Sequence, residues 1–147
     1  MNMIEVLQVE HGFLAKMMDL IEEHAASSPR ANPPVEVCRM AMDLLASHAR
    51  MEDDLLFTAL EPHVGAYGPL ILVDHRNDHR EILQNFEAAS KMGEGSVEKS
   101  LAAARFTRAH FDKEEKVLFT LARRALGKDE LEELAIRAAG YSVQKRR

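Results

Sequence analysis

The chain has 147 residues, about one domain in length, and with 46% hydrophobic and 29% charged residues it has the balance of a soluble, core-forming protein rather than a disordered one. Its net charge of −5 and scattered Lys and Arg leave no basic stripe for a nucleic-acid backbone, and no apolar run is long enough to span a membrane. The first residues lack the basic start and apolar stretch of a signal peptide, and the single cysteine, Cys38, excludes an internal disulfide, so a cytoplasmic setting is expected.

Apolar residues at Ile4, Leu7, Leu14, Met17, Met18 and Ile21 recur every three or four positions, which predicts an amphipathic helix over about 2–26. The segment SSPRANPP ends it. Pro33 and Pro34 suit the first turn of a second helix, whose apolar positions run through Val37, Met40, Ala41, Leu44, Leu45, Leu55, Leu56 and Leu60 as far as Glu61 and Pro62. The methionines of both helices are expected to fill the core, with Cys38 on a buried face.

A loop, HVGAYG, leads to Pro69 and a third helix through Leu72, Ile82, Leu83 and Phe86, closed by the turn Gly93-Glu94-Gly95. With Ser96 as N-cap, the fourth helix runs from about Val97 to Leu126 and stops at Gly127. DELEELAIRAA makes a short fifth helix before Gly140, and Lys145, Arg146 and Arg147 form a solvated tail. Four long helices with short connections predict one all-α domain over 1–147, an up-down-up-down antiparallel four-helix bundle.

Two stretches 62 residues apart are alike, HARMEDDLLFTAL from His48 and HFDKEEKVLFTLA from His110. VEHGFLA around His11 also matches VDHRNDH around His75, so the chain reads as a duplicated helical hairpin. Residues four apart share a helix face about 6 Å apart along the axis, so His48 with Glu52, His75 with His79, and His110 with Glu114 each point toward one centre. Glu115, one position further, points elsewhere.

Depth agrees. From His11 to the first turn is about 15 residues, and back up to His48 and Glu52 about 13 to 17, with similar counts across the second hairpin. Five histidines and two glutamates directed into a core are expensive to bury alone, and a metal is their natural partner. Imidazole with a few carboxylates suits iron, zinc or copper, and seven ligands exceed one tetrahedral zinc but suit two six-coordinate ions, which points to two irons. His24 and His63 fall off this layer and are expected in solvent.

The order His, then His-x-x-x-Glu, then His-x-x-x-His, then His-x-x-x-Glu on successive helices resembles the hemerythrin-like, or HHE cation-binding, family. The ferritin-like di-iron pattern Glu-x-x-His is absent. The resemblance implies two iron ions bridged by carboxylates and an oxo or hydroxo group, one held by His75, His79 and His110 and the other by His11 and His48, with Glu52 and Glu114 between them. It further implies that dioxygen or another diatomic ligand binds at an open position on the two-histidine iron, for storage, carriage or sensing. Because the repeat pairs His79 with Ala15, Ala15 is expected to mark that open side, with Leu7, Leu14, Leu44, Met51, Ile82 and Phe106 around it. Oxygen carriers of the family place an Asp five residues after the last histidine. This chain has Glu114 four after, as many bacterial relatives do, and Glu115 is the alternative bridge. The other role the resemblance allows is an enzyme or iron handler that reduces nitric oxide or peroxide or repairs iron clusters. Repair relatives carry an added N-terminal cysteine-bearing segment, absent here, which favours gas binding.

Overall fold

The computed structural model describes residues 1–27, 34–91 and 95–144, with side chains through 140 in the last stretch. Most of the segment after the first helix, the Gly93-Glu94 part of the second turn and the basic tail lie outside the described residues. All regular structure among the described residues is helical.

Helix α1 (Met3–Ser27) starts at a capping box. Asn2 Oδ1 accepts the backbone N–H groups of Ile4 and Glu5, and Glu5 Oε2 accepts that of Asn2 in return, which satisfies otherwise orphaned donors. Helix α2 (Val35–Met51) begins one residue after Pro34, which sits at the N-cap rather than inside the first turn. It passes into a π-helical segment, Glu52–Phe57, then α3 (Thr58–Leu60) and a 3-10 turn, Glu61–His63. Helix α4 (Gly68–Ala89) starts against Val64. A Cβ on Gly68 would fall 1.8 Å from Val64 Cβ, so only glycine fits there.

Helix α5 (Ser96–Lys113) is entered through Gly95 at φ +74°, a left-handed conformation cheap only for glycine. Gly95, not Ser96, is therefore the N-cap, and Ser96 is the first helical residue. A second π-helical segment, Glu114–Leu118, leads to α6 (Phe119–Ala125). Helix α7 (Lys128–Gln144) is longer than expected because Gly140 does not stop it.

Helix α1 packs on α2 and α5, and α4 packs on the other sides of α2 and α5, so the long helices enclose one interior. Two apolar clusters occupy that interior. One gathers Met3, Ile4, Leu7, Leu56, Phe57, Leu60, Leu118 and Phe119, and α7 covers it with Leu131, Leu134 and Ala138. The other gathers Leu14, Met18, Ile21, Cys38, Ala41, Ile82, Phe86 and Ala103. On α1 the clusters part between Leu7 and Leu14, at His11.

Two apolar expectations on α2 fail. Met40 is 57% and Leu44 37% exposed, because the buried stripe there runs through Cys38, Ala41, Leu45 and His48 and is narrower than the run of apolar residues. Met3, Met17, Met18 and Met51 are buried as core filler. His63 is exposed as expected, but His24 is half-buried.

Candidate metal centre

All seven residues singled out in the sequence are buried. Glu52 and Glu114 are fully so, and His11, His48, His75, His79 and His110 expose 5% or less. Each glutamate follows its histidine by one turn and opens a π-helical segment. The extra residue of a π turn re-aims the side chains after it and is frequent at functional sites.

The donor atoms converge as two groups of four, His11, His48, Glu52 and Glu114, and Glu52, His79, His110 and Glu114, each with its atoms within 4.8 Å of one another. Both glutamates belong to both groups. Glu52 sets Oε1 3.6 Å from His48 Nε2 and Oε2 3.1 Å from His79 Nε2. Glu114 sets Oε2 3.0 Å from His11 Nε2 and Oε1 2.6 Å from His110 Nε2 and 3.3 Å from His79 Nε2. Each carboxylate thus spans the gap with one oxygen on either side.

His75 stands outside both groups of four. Its ring lies edge-on to His110 with centroids 5.8 Å apart, and its Nδ1 donates to the Ile71 carbonyl at 2.8 Å, which leaves Nε2 as a bare acceptor. That atom is buried without a hydrogen-bond partner. Both oxygens of Glu52, His110 Nε2 and Glu114 Oε2 are also buried and make no well-formed hydrogen bond, although histidine or carboxylate atoms lie close to each. Buried polar atoms crowded in this way are costly, and a cation inserted among them would offset the cost.

The outer nitrogens of the other four histidines face carboxylates. His48 Nδ1 lies 2.5 Å from Glu10, His79 Nδ1 3.3 Å from Asp53, His110 Nδ1 2.9 Å from Asp78, and His11 Nδ1 3.1 Å from Glu115. Glu115 therefore faces away from the centre, while Glu114 faces into it. Sequence reasoning missed three of these acids, although the signal was present, since each is adjacent in the chain to an inward-facing residue.

These charges dominate the protonation of the layer. Burial pulls the His79 imidazole down, but the carboxylates of Asp53, Glu114 and Glu52 outweigh it and hold the group up to about 12. His48 is raised in the same way, against burial, by Glu52, Glu10 and Glu114. Burial works to raise Glu114, yet contacts with His11, His110 and His79 hold its carboxyl well below the ordinary value.

Aromatic rings wall the layer. Phe111 stacks on His11 with centroids 4.1 Å apart, and Phe57 lies parallel to His79 at 6.0 Å. A cavity of about 10 Å³, room for about one water-sized molecule, lies among His48, His79, His110, Leu45, Ile82 and Phe111. Of the expected pocket residues only Ile82 lines it; Leu7, Leu14 and Met51 are ordinary core, Phe106 is half-buried and Leu44 is exposed. Ala15 lines an open surface depression with His11, Gly12, Arg108 and Glu115.

Comparison with known proteins agrees with this chemistry. A family model described as the hemerythrin HHE cation binding domain matches residues 2–122, which include every residue of the centre. No curated protein and no solved structure matches the chain.

Proposed function

The chain belongs to the hemerythrin HHE cation-binding family, and on that premise we propose that it is a non-haem di-iron protein that binds dioxygen or another diatomic ligand. In this reading the four long helices run alternately up and down, which brings donors from distant parts of the chain to one level. His11 and His48 would hold one iron and His75, His79 and His110 the other, with Glu52 and Glu114 shared between the two.

The observation that carries the two-ion reading is the placing of one oxygen of each buried glutamate on either side of the same gap. A single tetrahedral ion has no use for two such spanning carboxylates, whereas a pair of six-coordinate ions does. The assignment of His75 rests on its orphaned Nε2 and the lock on its Nδ1.

Bound iron of this kind supplies exchangeable electrons and an open coordination position. The chain's own residues orient the donors, and Phe57, Phe111 and Ile82 exclude bulk water. The cavity beside His48 and His110 has room for about one water-sized molecule, which supports a small ligand at the centre. The test is anaerobic reduction of iron-loaded protein followed by exposure to dioxygen and, separately, azide titration of the oxidised form. A slow or reversible oxygenated absorption spectrum with tight azide binding is expected. An iron-loaded protein that oxidises at once and binds no azide would overturn the gas-binding role.

A further inference from the structure

Each of the four acids that touch an outer histidine nitrogen sits in the chain beside an inward-facing donor, yet reaches a histidine of a different helix. Glu10, beside His11 on α1, reaches His48 on α2. Asp53, beside Glu52 in the π segment after α2, reaches His79 on α4. Asp78, beside His79 on α4, reaches His110 on α5. Glu115, beside Glu114 in the π segment after α5, returns to His11 on α1. The contacts form a closed circuit in one direction round the bundle.

We infer that Glu10, Asp53, Asp78 and Glu115 are positioning residues acting as one cyclic brace, in which each helix orients the histidine of the next. This rests on the metal-binding reading above. The braced histidines are nearly inaccessible, while the acids are 16% to 45% exposed, so each keeps its outer side in water and avoids the full cost of burying a charge. An anion on Nδ1 fixes the ring, assigns the proton to that nitrogen and leaves Nε2 as the donor facing inward. Movement of any one helix then disturbs both its own donor and its neighbour's histidine.

The internal repeat accounts for only half of the circuit, since it pairs Asp53 with Glu115 but does not supply the other two braces from equivalent places. It pairs Glu10 with Asp74, but Asp74 contacts Lys113 at 2.7 Å, and Asp78 one turn later takes the bracing place. Lys113 also contacts Asp78, tying the brace to α5. His75 alone is locked by a backbone carbonyl of its own helix, so it lies outside the circuit.

Cobalt(II) is the probe, because its paramagnetism shifts the exchangeable imidazole N–H proton signals of ligating histidines clear of other resonances. Glu10→Gln, Asp53→Asn, Asp78→Asn and Glu115→Gln are each expected to move one such signal, that of the histidine on the next helix, and to weaken cobalt binding by about 10- to 100-fold. The His75 signal should stay in place in all four, and Asp74→Asn should move none. Asp53→Glu and Glu115→Asp keep the charge but displace it, so they carry the same test if an amide variant fails to fold. Acid variants that leave every N–H signal unmoved while cobalt is bound would overturn the brace and spare the metal centre. A parent chain that binds no cobalt or iron would overturn the metal reading itself.

Discussion

His11 is held between two consecutive glutamates that face opposite ways. Glu115 Oε1 lies 3.1 Å from its Nδ1, and Glu114 Oε2 lies 3.0 Å from its Nε2. The i to i+4 spacing puts Glu114 under His110 on the inner face, and the next residue turns about 100° away. Glu114→Gln is therefore expected to lose at least one iron per chain, whereas Glu115→Gln keeps two with weaker affinity. Iron content after gel filtration distinguishes them, and the reverse order would make Glu115 the inward ligand.

Metal removal exposes the electrostatic cost of the layer. Any ion that binds only the folded chain stabilises it by mass action, about 4 kcal/mol at a thousandfold excess over the dissociation constant. Chelated protein should therefore melt well below the iron-loaded form. Glu114 has its carboxyl lowered by His11, His110 and His79 against burial. A lowered carboxyl stabilises the fold above its unfolded value, near 4.5, and that contribution disappears as pH falls through the native value. Chelated parent should thus lose stability below about pH 4.5, and chelated Glu114→Gln should lack this part of the acid transition. Superimposable acid transitions would contradict it.

Cys38 tests the second apolar cluster. Burial pushes its thiol from 9.0 up to about 11. The thiol should react with a disulfide reagent at pH 8 only as fast as the chain opens. Because the unfolded thiol ionises first, parent stability should decline between about pH 9 and 11 relative to Cys38→Ala. Rapid labelling of the native protein would place Cys38 at the surface.

Gly68→Ala should reverse the usual sign of a helical Gly-to-Ala change, which ordinarily gains about 1 kcal/mol. The added Cβ collides with Val64 Cβ, and a loss of about 1–3 kcal/mol is expected by urea unfolding. Val64→Ala cannot relieve a clash with Cβ itself, but Val64→Gly can. A stabilised single variant would show that the turn before α4 gives way.

Much of this was legible in the chain because a period of 3.6 does two jobs at once. It marked α1, α4 and α5 through their apolar stripes, and it put His48 with Glu52 and His110 with Glu114 on common faces. The π segments were not legible, since Glu52–Phe57 and Glu114–Leu118 differ from ordinary helix only in hydrogen-bond register. Nor was the true width of the α2 stripe, because Met40 and Leu44 are apolar without being buried. Nor were the contacts of Glu10, Asp53 and Asp78, because only the packing of neighbouring helices brings these acids to the histidines. The expected open side at Ala15 came from pairing the repeats; Ala15 lines a surface depression together with His11, and a separate small cavity lies beside His48 and His110.

The most direct measurement is the metal content of protein reconstituted anaerobically with ferrous iron and freed of loosely bound ions, taken by elemental analysis beside Glu52→Ala. Two irons per parent chain, falling to one or none when the spanning carboxylate is removed, is the predicted result. One tightly held zinc with no iron, or a Glu52→Ala chain that still holds two irons, would contradict the carboxylate-bridged pair.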